Sequence, residues 1–228
     1  MRLLATDYDN TLKTNIKNFK INLDAINKFM EQGNKFVIIT GRSFKQIEPE
    51  IIKYNIKYDY LVCNNGLIIF DKNNKIIKCK LLPINDLHFV YTTLSKFPNL
   101  KKIEAYTYTT TTTELKEILE FHGEFTNKSS ATDYRNKLMY ARKHLYCYQD
   151  NNHIYISLNT NKANALMFIQ KLEKMQKESI YTIGDDLNDL DMLLYFNGYK
   201  MLKSNNKLLF KGIPTIKDVH SLVKKISK

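Results

Sequence analysis

The chain has 228 residues, a net charge of +12, 43% hydrophobic residues, 25% charged residues and three cysteines. That length supports one large domain or two smaller ones, and the composition is ordinary for a globular chain. No apolar run is long enough to span a bilayer, Leu3-Leu4-Ala5 passes at once to polar residues without a signal peptide's core, and Cys63, Cys79 and Cys147 are too scattered for a disulfide framework or zinc site. A reduced, cytoplasmic protein without membrane partners is expected.

The positive charge is almost all lysine, spread along the chain with no basic block of interleaved aromatics, so no nucleic-acid partner is expected. A generally basic surface still favours anionic small molecules.

In chain order, Leu3-Leu4-Ala5 reads as a buried strand ending in Asp7 and Asp9. Residues i and i+2 of an extended chain point the same way, so both carboxylates would face one spot. At an effective dielectric near 20, two charges about 4 Å apart repel by roughly 4 kcal/mol, which demands compensation. A plain Asp/Asn/Thr turn reads equally well here.

NLDAINKFMEQG places Leu23, Ile26 and Met30 at helical spacing, with Gly33 as a stop. FVIIT (36–40) is a buried strand, and SFKQIEPEIIKYN a helix with Ser43 as N-cap. DYLVCNNGLIIFD continues as strand, broken by the turn Asn64-Asn65-Gly66. Strands alternating with helices predict a parallel α/β sheet.

From Pro83 to Ser157 the character changes to an α+β segment rich in Tyr, Thr and Lys. YTYTTTTTELKEILEFHGEF predicts a strand end, with the run Thr109–Thr113 as strand end and cap, then a helix around Leu115, Ile118 and Leu119. HLYCYQDNNHIYIS predicts two strands joined at Asp150–Asn152. The α/β pattern then returns. KANALMFIQKLEKMQK sets Leu166, Ile169, Leu172 and Met175 on one helical face, SIYTI (179–183) is a buried strand, and DVHSLVKKIS closes as a helix. Residues 1–82 and 158–228 therefore form one α/β domain around an inserted module, 83–157.

Four sets of residues stand at strand ends or helix starts: Asp7-Tyr8-Asp9-Asn10-Thr11, Thr40-Gly41-Arg42, Lys162, and Gly184-Asp185-Asp186-Leu187-Asn188-Asp189. In an open parallel sheet, ligands bind beyond the carboxyl ends of the strands, where these sets can converge. Clustered aspartates suit Mg²⁺, and a hydroxyl, a glycine amide, a lysine and an asparagine suit phosphoryl oxygens. An aspartate near the metal can also act as nucleophile. Taken singly, Thr40-Gly41 reads as a turn, Lys162 as a solvated lysine, and Asp185, Asp186, Asp189 and Asp191 as helix caps or solvated residues.

DYDNTL, ITGRS, the lysine of NTNKANAL and GDDLND match in order the four motifs of the haloacid dehalogenase-like (HAD) hydrolases, and LVCNNGLII resembles an element of their Cof-type sugar-phosphatase branch. The resemblance covers the core and implies a Rossmann-like parallel sheet with an inserted α+β cap of the C2 type. It implies that Asp7 is nucleophile and metal ligand, and that Asp9 is the acid/base whose backbone carbonyl binds the metal. It further implies Thr40, Gly41, the backbone beside Tyr8, Lys162 and Asn188 around the phosphoryl group, Asp185 as a metal ligand, and Asp189 orienting Lys162 or a metal-bound water. Departures are Ala163 for a common glycine, Asn10 for another, and Lys203-Ser204-Asn205 where relatives carry Gly-Asn-Ala.

The expected activity is a Mg²⁺-dependent phosphatase of small phosphorylated metabolites, sugar phosphates first, acting as a monomer or weak homo-oligomer. Alternatives are a phosphomutase or phosphotransferase resembling phosphomannomutase, or a non-catalytic binding protein on the same core. Substrate preference is expected from the cap, where Tyr106, Tyr108, Tyr134, Tyr140 and His144 are available.

Overall fold

The computed structural model describes residues 1–107, 111–112 and 117–227, with Thr111, Thr112, Leu209 and Phe210 described in backbone only. Tyr108, Thr109, Thr110, Thr113 and Leu115 lie outside the described residues. The chain divides into two compact units, one of 1–78 with 161–228, the other of 79–160. The sequence reading placed these edges at 82/83 and 157/158.

The first unit begins with β1 (Leu3–Thr6), α1 (Ile16–Glu31), β2 (Lys35–Ile39), α2 (Phe44–Tyr54), β3 (Tyr60–Cys63), β4 (Ile68–Asp71) and β5 (Ile76–Cys79). The second holds α3 (Ile84–Ser95), β6 (Leu100–Tyr106), β7 (Thr111–Thr112), β8 (Glu120–Phe125), α4 (Lys128–Ala141), β9 (Leu145–Asp150) and β10 (His153–Leu158). The first unit resumes with α5 (Lys162–Leu172), β11 (Ile180–Gly184), α6 (Leu190–Tyr195), β12 (Asn197–Met201), β13 (Thr215–Ile216) and α7 (Val219–Ile226).

The larger sheet has the order β13-β12-β11-β1-β2-β3-β4-β5. All pairs from β13 to β3 are parallel, and β3–β4 is antiparallel. The fold is thus α/β with a parallel core, and the second unit carries a separate sheet, β7-β6-β8-β10-β9, paired antiparallel. In β1 all four residues are buried, as a strand covered on both faces requires. Leu3, Ala5, Val37, Ile39, Leu166 and Ile169 share one core cluster, each large aliphatic side chain contributing about 1.5–3 kcal/mol by burial.

Helix starts are set by short polar caps: Asn15, Asn127, Asn161 and Asp218 each accept from the amide three residues on. Around Ser43, Gln46 Oε1 accepts from the Ser43 amide at 2.9 Å. Two helical faces differ from the expected ones. In α1 the buried stripe is Phe19, Asn22, Ala25, Ile26 and Phe29, with Leu23 and Met30 at its edges. α5 stops at Leu172, which is half exposed, because Lys174 then takes a positive φ of 52° and turns the chain. In the second unit Ile118 and Leu119 are buried but not helical; they lead into β8, and Ile118 joins the core beside Phe121. Among the described residues no helix is long and apolar enough to cross a membrane.

Candidate active site

β1 lies between β2 and β11, so the loops after all three strands emerge side by side. The strand ends at Thr6, and the Asp7 amide donates to Ile183 O of β11 at 3.0 Å. The chain then curls back, Leu12 N donating to Asp7 O and Lys13 N to Tyr8 O, with Asn10 at φ 57° taking the left-handed conformation its short polar side chain tolerates. This turn separates the two carboxylates that an extended chain would have aimed alike. Each has its own cation.

Asp7 is buried and pairs with Lys162, whose Nζ donates at 2.6 Å to Asp7 Oδ1 and at 2.6 Å to Asp189 Oδ1. Lys162 has no solvent exposure, so both carboxylates are required to compensate its burial. The N-cap Asn161 starts α5 at this residue, which fixes the lysine at a helix end facing the sheet. Asp189 Oδ2 accepts from the Asp185 and Asp186 amides at 2.9 and 3.1 Å, folding the loop after β11 around its own carboxylate. Gly184 makes that close fold possible, since a Cβ there would lie 2.4 Å from the Asp189 carboxylate. Thr11 Oγ1 donates to Asp185 Oδ1 at 2.8 Å, drawing the two loops together.

Oxygens of Asp7, Asp185 and Asp189 lie within 4.8 Å of one another. Asp7 is raised to about 7, chiefly by burial, with Lys162 opposing and Asp189 and Asp185 also acting upward. Burial also raises Asp185 while the Thr11 hydrogen bond lowers it. For Lys162, burial acts downward, but Asp189 and Asp7 outweigh it and the ammonium is held above its ordinary range. If all three were ionised, three carboxylates against one ammonium would leave two negative charges in this small space, a crowding that keeps Asp7 raised until a cation relieves it. A divalent cation with a preference for oxygen fits that deficit, Mg²⁺ among them. Asp7 and Asp185 would hold it, Asp189 being taken up by Lys162 and two amides.

Asp9 is half exposed and is clasped by Arg42, Nε to Oδ2 at 2.8 Å and Nη2 to Oδ1 at 2.5 Å. Thr40 is buried, its Oγ1 accepting from the Arg42 amide at 3.1 Å. Asp7, Asp9, Gly41, Asp185 and Asn188 line one cleft of about 310 Å³, together with Asn10, Arg42, Gln46 and Asp186. The Tyr8 side chain does not enter it; the ring is buried and its hydroxyl donates to Glu50 Oε2 at 3.0 Å. Asp186 caps the turn after it, accepting from Leu187 N, and Asp191 accepts from Asn161 Nδ2. The departing Lys203-Ser204-Asn205 loop still reaches this region, Asn205 N donating to Asp185 O at 2.7 Å.

Two residues, one lining the cleft and one beside it, escape the sequence reading. Arg42 was read only as the residue after Gly41. Asn65 looked like a turn residue, yet its Oδ1 accepts from Asn188 Nδ2 at 3.2 Å and its side chain lies against Gly41. Two adjacent left-handed asparagines, Asn64 and Asn65, were the available signal of a specially shaped loop. In the second unit the candidates scatter. Tyr134 is buried on Thr93, Tyr140 is 85% exposed, His144 pairs with Asp86 at 2.8 Å, and Tyr106 donates to Glu104.

The sequence matches the family of haloacid dehalogenase-like hydrolases over residues 4–156 and 144–210. An uncharacterised protein of Mycoplasma capricolum is 24% identical over 248 residues, covering 90% of this chain and 92% of that one. Among solved structures, a Thermotoga maritima protein superimposes with a TM-score of 0.83 at 14% identity, covering 100% of this chain and 98% of that one. A Bacteroides thetaiotaomicron protein described among HAD-superfamily phosphatases gives 0.81 at 18% identity, covering 100% and 94%. A HAD/Cof-like hydrolase of Plasmodium vivax gives 0.77 at 18%, covering 100% and 95%. The chain belongs to the haloacid dehalogenase-like hydrolases.

Proposed function

We propose that this protein is a Mg²⁺-dependent phosphatase of small phosphate monoesters, sugar phosphates foremost, working through an aspartyl-phosphate. The observation that carries the reading is the buried Asp7–Lys162–Asp189 chain beside Asp185, which places a carboxylate nucleophile in a pocket with more carboxylates than cations. The Bacteroides relative's description among HAD phosphatases agrees with it.

Lys162 occupies Asp7 Oδ1, so attack on phosphorus falls to Oδ2. The new P–O bond forms as the ester P–O bond breaks, and Asp9 gives the departing oxygen the proton it took from water in the preceding turnover. Asp9 then takes a proton from water, whose oxygen attacks the same phosphorus, releasing inorganic phosphate and restoring the Asp7 carboxylate. Lys162, the Gly41 amide, the Thr40 hydroxyl and Asn188 hold the phosphoryl oxygens. Bound Mg²⁺ would supply the positive charge that lets an anionic ester approach these carboxylates.

The test is a screen of phosphorylated metabolites for released phosphate, with Mg²⁺ and with excess chelator. Mg²⁺-dependent release supports the reading. Release undiminished by chelator, or none from any ester, overturns it.

A further inference from the structure

Arg42 and Asp9 form a two-pronged pair, yet their side chains keep 31% and 49% of their exposure. Exposed pairs as a class contribute little to stability, bidentate arginine–carboxylate pairs being the exception, so this one has a consequence besides whatever it adds to the fold. A planar guanidinium gripping both oxygens does something else: it fixes the plane and direction of the carboxylate. Arg42 is itself held. Its guanidinium carbon sits 5.1 Å from the centre of the Tyr8 ring, in stacking range. The Tyr8 hydroxyl donates to Glu50 on α2, and Lys13 Nζ donates to the same Glu50 Oε2 at 2.5 Å. Burial and the Glu50 hydrogen bond hold the phenol far above its ordinary range, so it stays a neutral donor. The residue between the two aspartates therefore ties the loop after β1 to α2, and presents a ring face on which Arg42 rests.

We propose that Arg42 is the positioning residue for the Asp9 carboxylate, and that the Lys13–Glu50–Tyr8 bridge sets the place of Arg42. The role rests on Asp9 serving as acid/base in the reaction above. In the structure Arg42 grips both Asp9 oxygens, so at least one must be yielded when Asp9 passes a proton to an ester oxygen, while the other contact keeps the carboxyl directed into the cleft.

A positioning role for an acid has a signature that a general structural role lacks. Protonation matters most when the leaving group is poor, and acid catalysis contributes about 10²–10⁴-fold. The experiment compares wild type, Arg42→Ala, Arg42→Lys and Tyr8→Phe on p-nitrophenyl phosphate and on phenyl phosphate, whose departing phenol is about as weak an acid as tyrosine, pKa ≈ 10. Thermal unfolding is followed in parallel. Arg42→Ala is expected to lose at least about tenfold more kcat on phenyl phosphate than on p-nitrophenyl phosphate. Arg42→Lys restores the charge but not the fork, and falls between. Tyr8→Phe shows the same skew, smaller. Equal losses on both esters, tracking a lowered Tm, would overturn the Arg42 role. A skew in Arg42→Ala with none in Tyr8→Phe would overturn the bridge. A wild type that hydrolyses neither ester overturns the phosphatase reading itself, and the Arg42 role falls with it.

Discussion

Lys162 and Asp7 meet at 2.6 Å although 155 residues separate them in the chain. The contact joins the first turn of α5 to the loop after β1, and the ammonium it buries has no exposure to water at all. A lysine so placed is held by its carboxylates, and they by it.

Lys162→Met should lower phosphate release by on the order of 10²–10³-fold, the scale of losing one preorganised charge partner. It should also cost about 3–5 kcal/mol of stability, because Asp7 and Asp189 are left buried without their cation. Urea unfolding measures the second effect, and added Mg²⁺ should narrow the deficit by restoring positive charge. An unchanged unfolding midpoint would show that the pair is not buried in solution.

Asp7 and Asp9 should fail in different ways. With an activated aryl phosphate, Asp7→Asn should give no turnover and no covalent phosphate. Asp9→Asn should still be labelled on Asp7 and release it slowly, since no base activates water, a loss of about 10²–10⁴-fold. Rapid quench and peptide mass analysis locate the label. Label on any other residue ends the nucleophile assignment.

Mg²⁺ should raise Tm in the absence of any ester, because it relieves the crowding of Asp7, Asp185 and Asp189. At a concentration of 100 Kd the stabilisation is about 2.7 kcal/mol. Asp185→Asn should remove most of that rise while leaving the metal-free protein folded. A rise that is the same in the variant would place the ion elsewhere.

The strand-end motifs were legible because their chemistry is local: a carboxylate or hydroxyl at the end of an apolar run must be solvated, paired or bound to something. Asp7, Thr40 and Asp185 stand where that argument put them, after β1, β2 and β11. Lys162 needed more, since nothing local marks one lysine among so many; only its match to a motif singled it out. Arg42, Asn65, Glu50 and Lys13 were not legible, because each acts through a partner distant in sequence, 33 residues from Arg42 to Asp9 and 123 from Asn65 to Asn188. Ile118 and Leu119 misled for the opposite reason. Their adjacency to Leu115 suggested a helical face, but the pairing of Glu120–Phe125 with β6 and β10 decided the segment as an approach to a strand. Tertiary pairing overrode a weak local period.

Gly184→Ala should disable the site without touching a functional side chain. The added methyl would sit 2.4 Å from the Asp189 carboxylate, which is pinned by Lys162 and by two amides and cannot withdraw. Overpacking of this kind costs about 1–3 kcal/mol, and the displaced Asp189 should release Lys162. Near-wild-type phosphate release and Tm would show that the loop yields more readily than its hydrogen bonds indicate.

Glu120 should make stability fall as pH rises. It lies on β8, and burial raises its carboxyl from 4.5 to about 7. The unfolded chain therefore loses that proton first, so between about pH 4.5 and 7 the native state binds more protons and is progressively destabilised. The penalty is absent below the unfolded value and complete above the folded one, on the order of 1–3 kcal/mol. Glu120→Gln should flatten that part of the curve in urea titrations. An identical slope in the variant would show that the group is solvated.

The position of β1 has a consequence for how the protein is made. It leaves the ribosome before the other strands of its sheet, and one flank pairs with β2, which follows soon after, but the other flank waits for β11 at Ile180–Gly184. At about 5–20 residues per second, an apolar strand with an open edge stands unpaired for roughly ten to forty seconds. The whole intervening unit, 79–160, is synthesised during that interval and can fold from its own core before the sheet closes. Asp7 can stay solvated meanwhile, and its burial in the folded chain needs Lys162, which is made only after that unit.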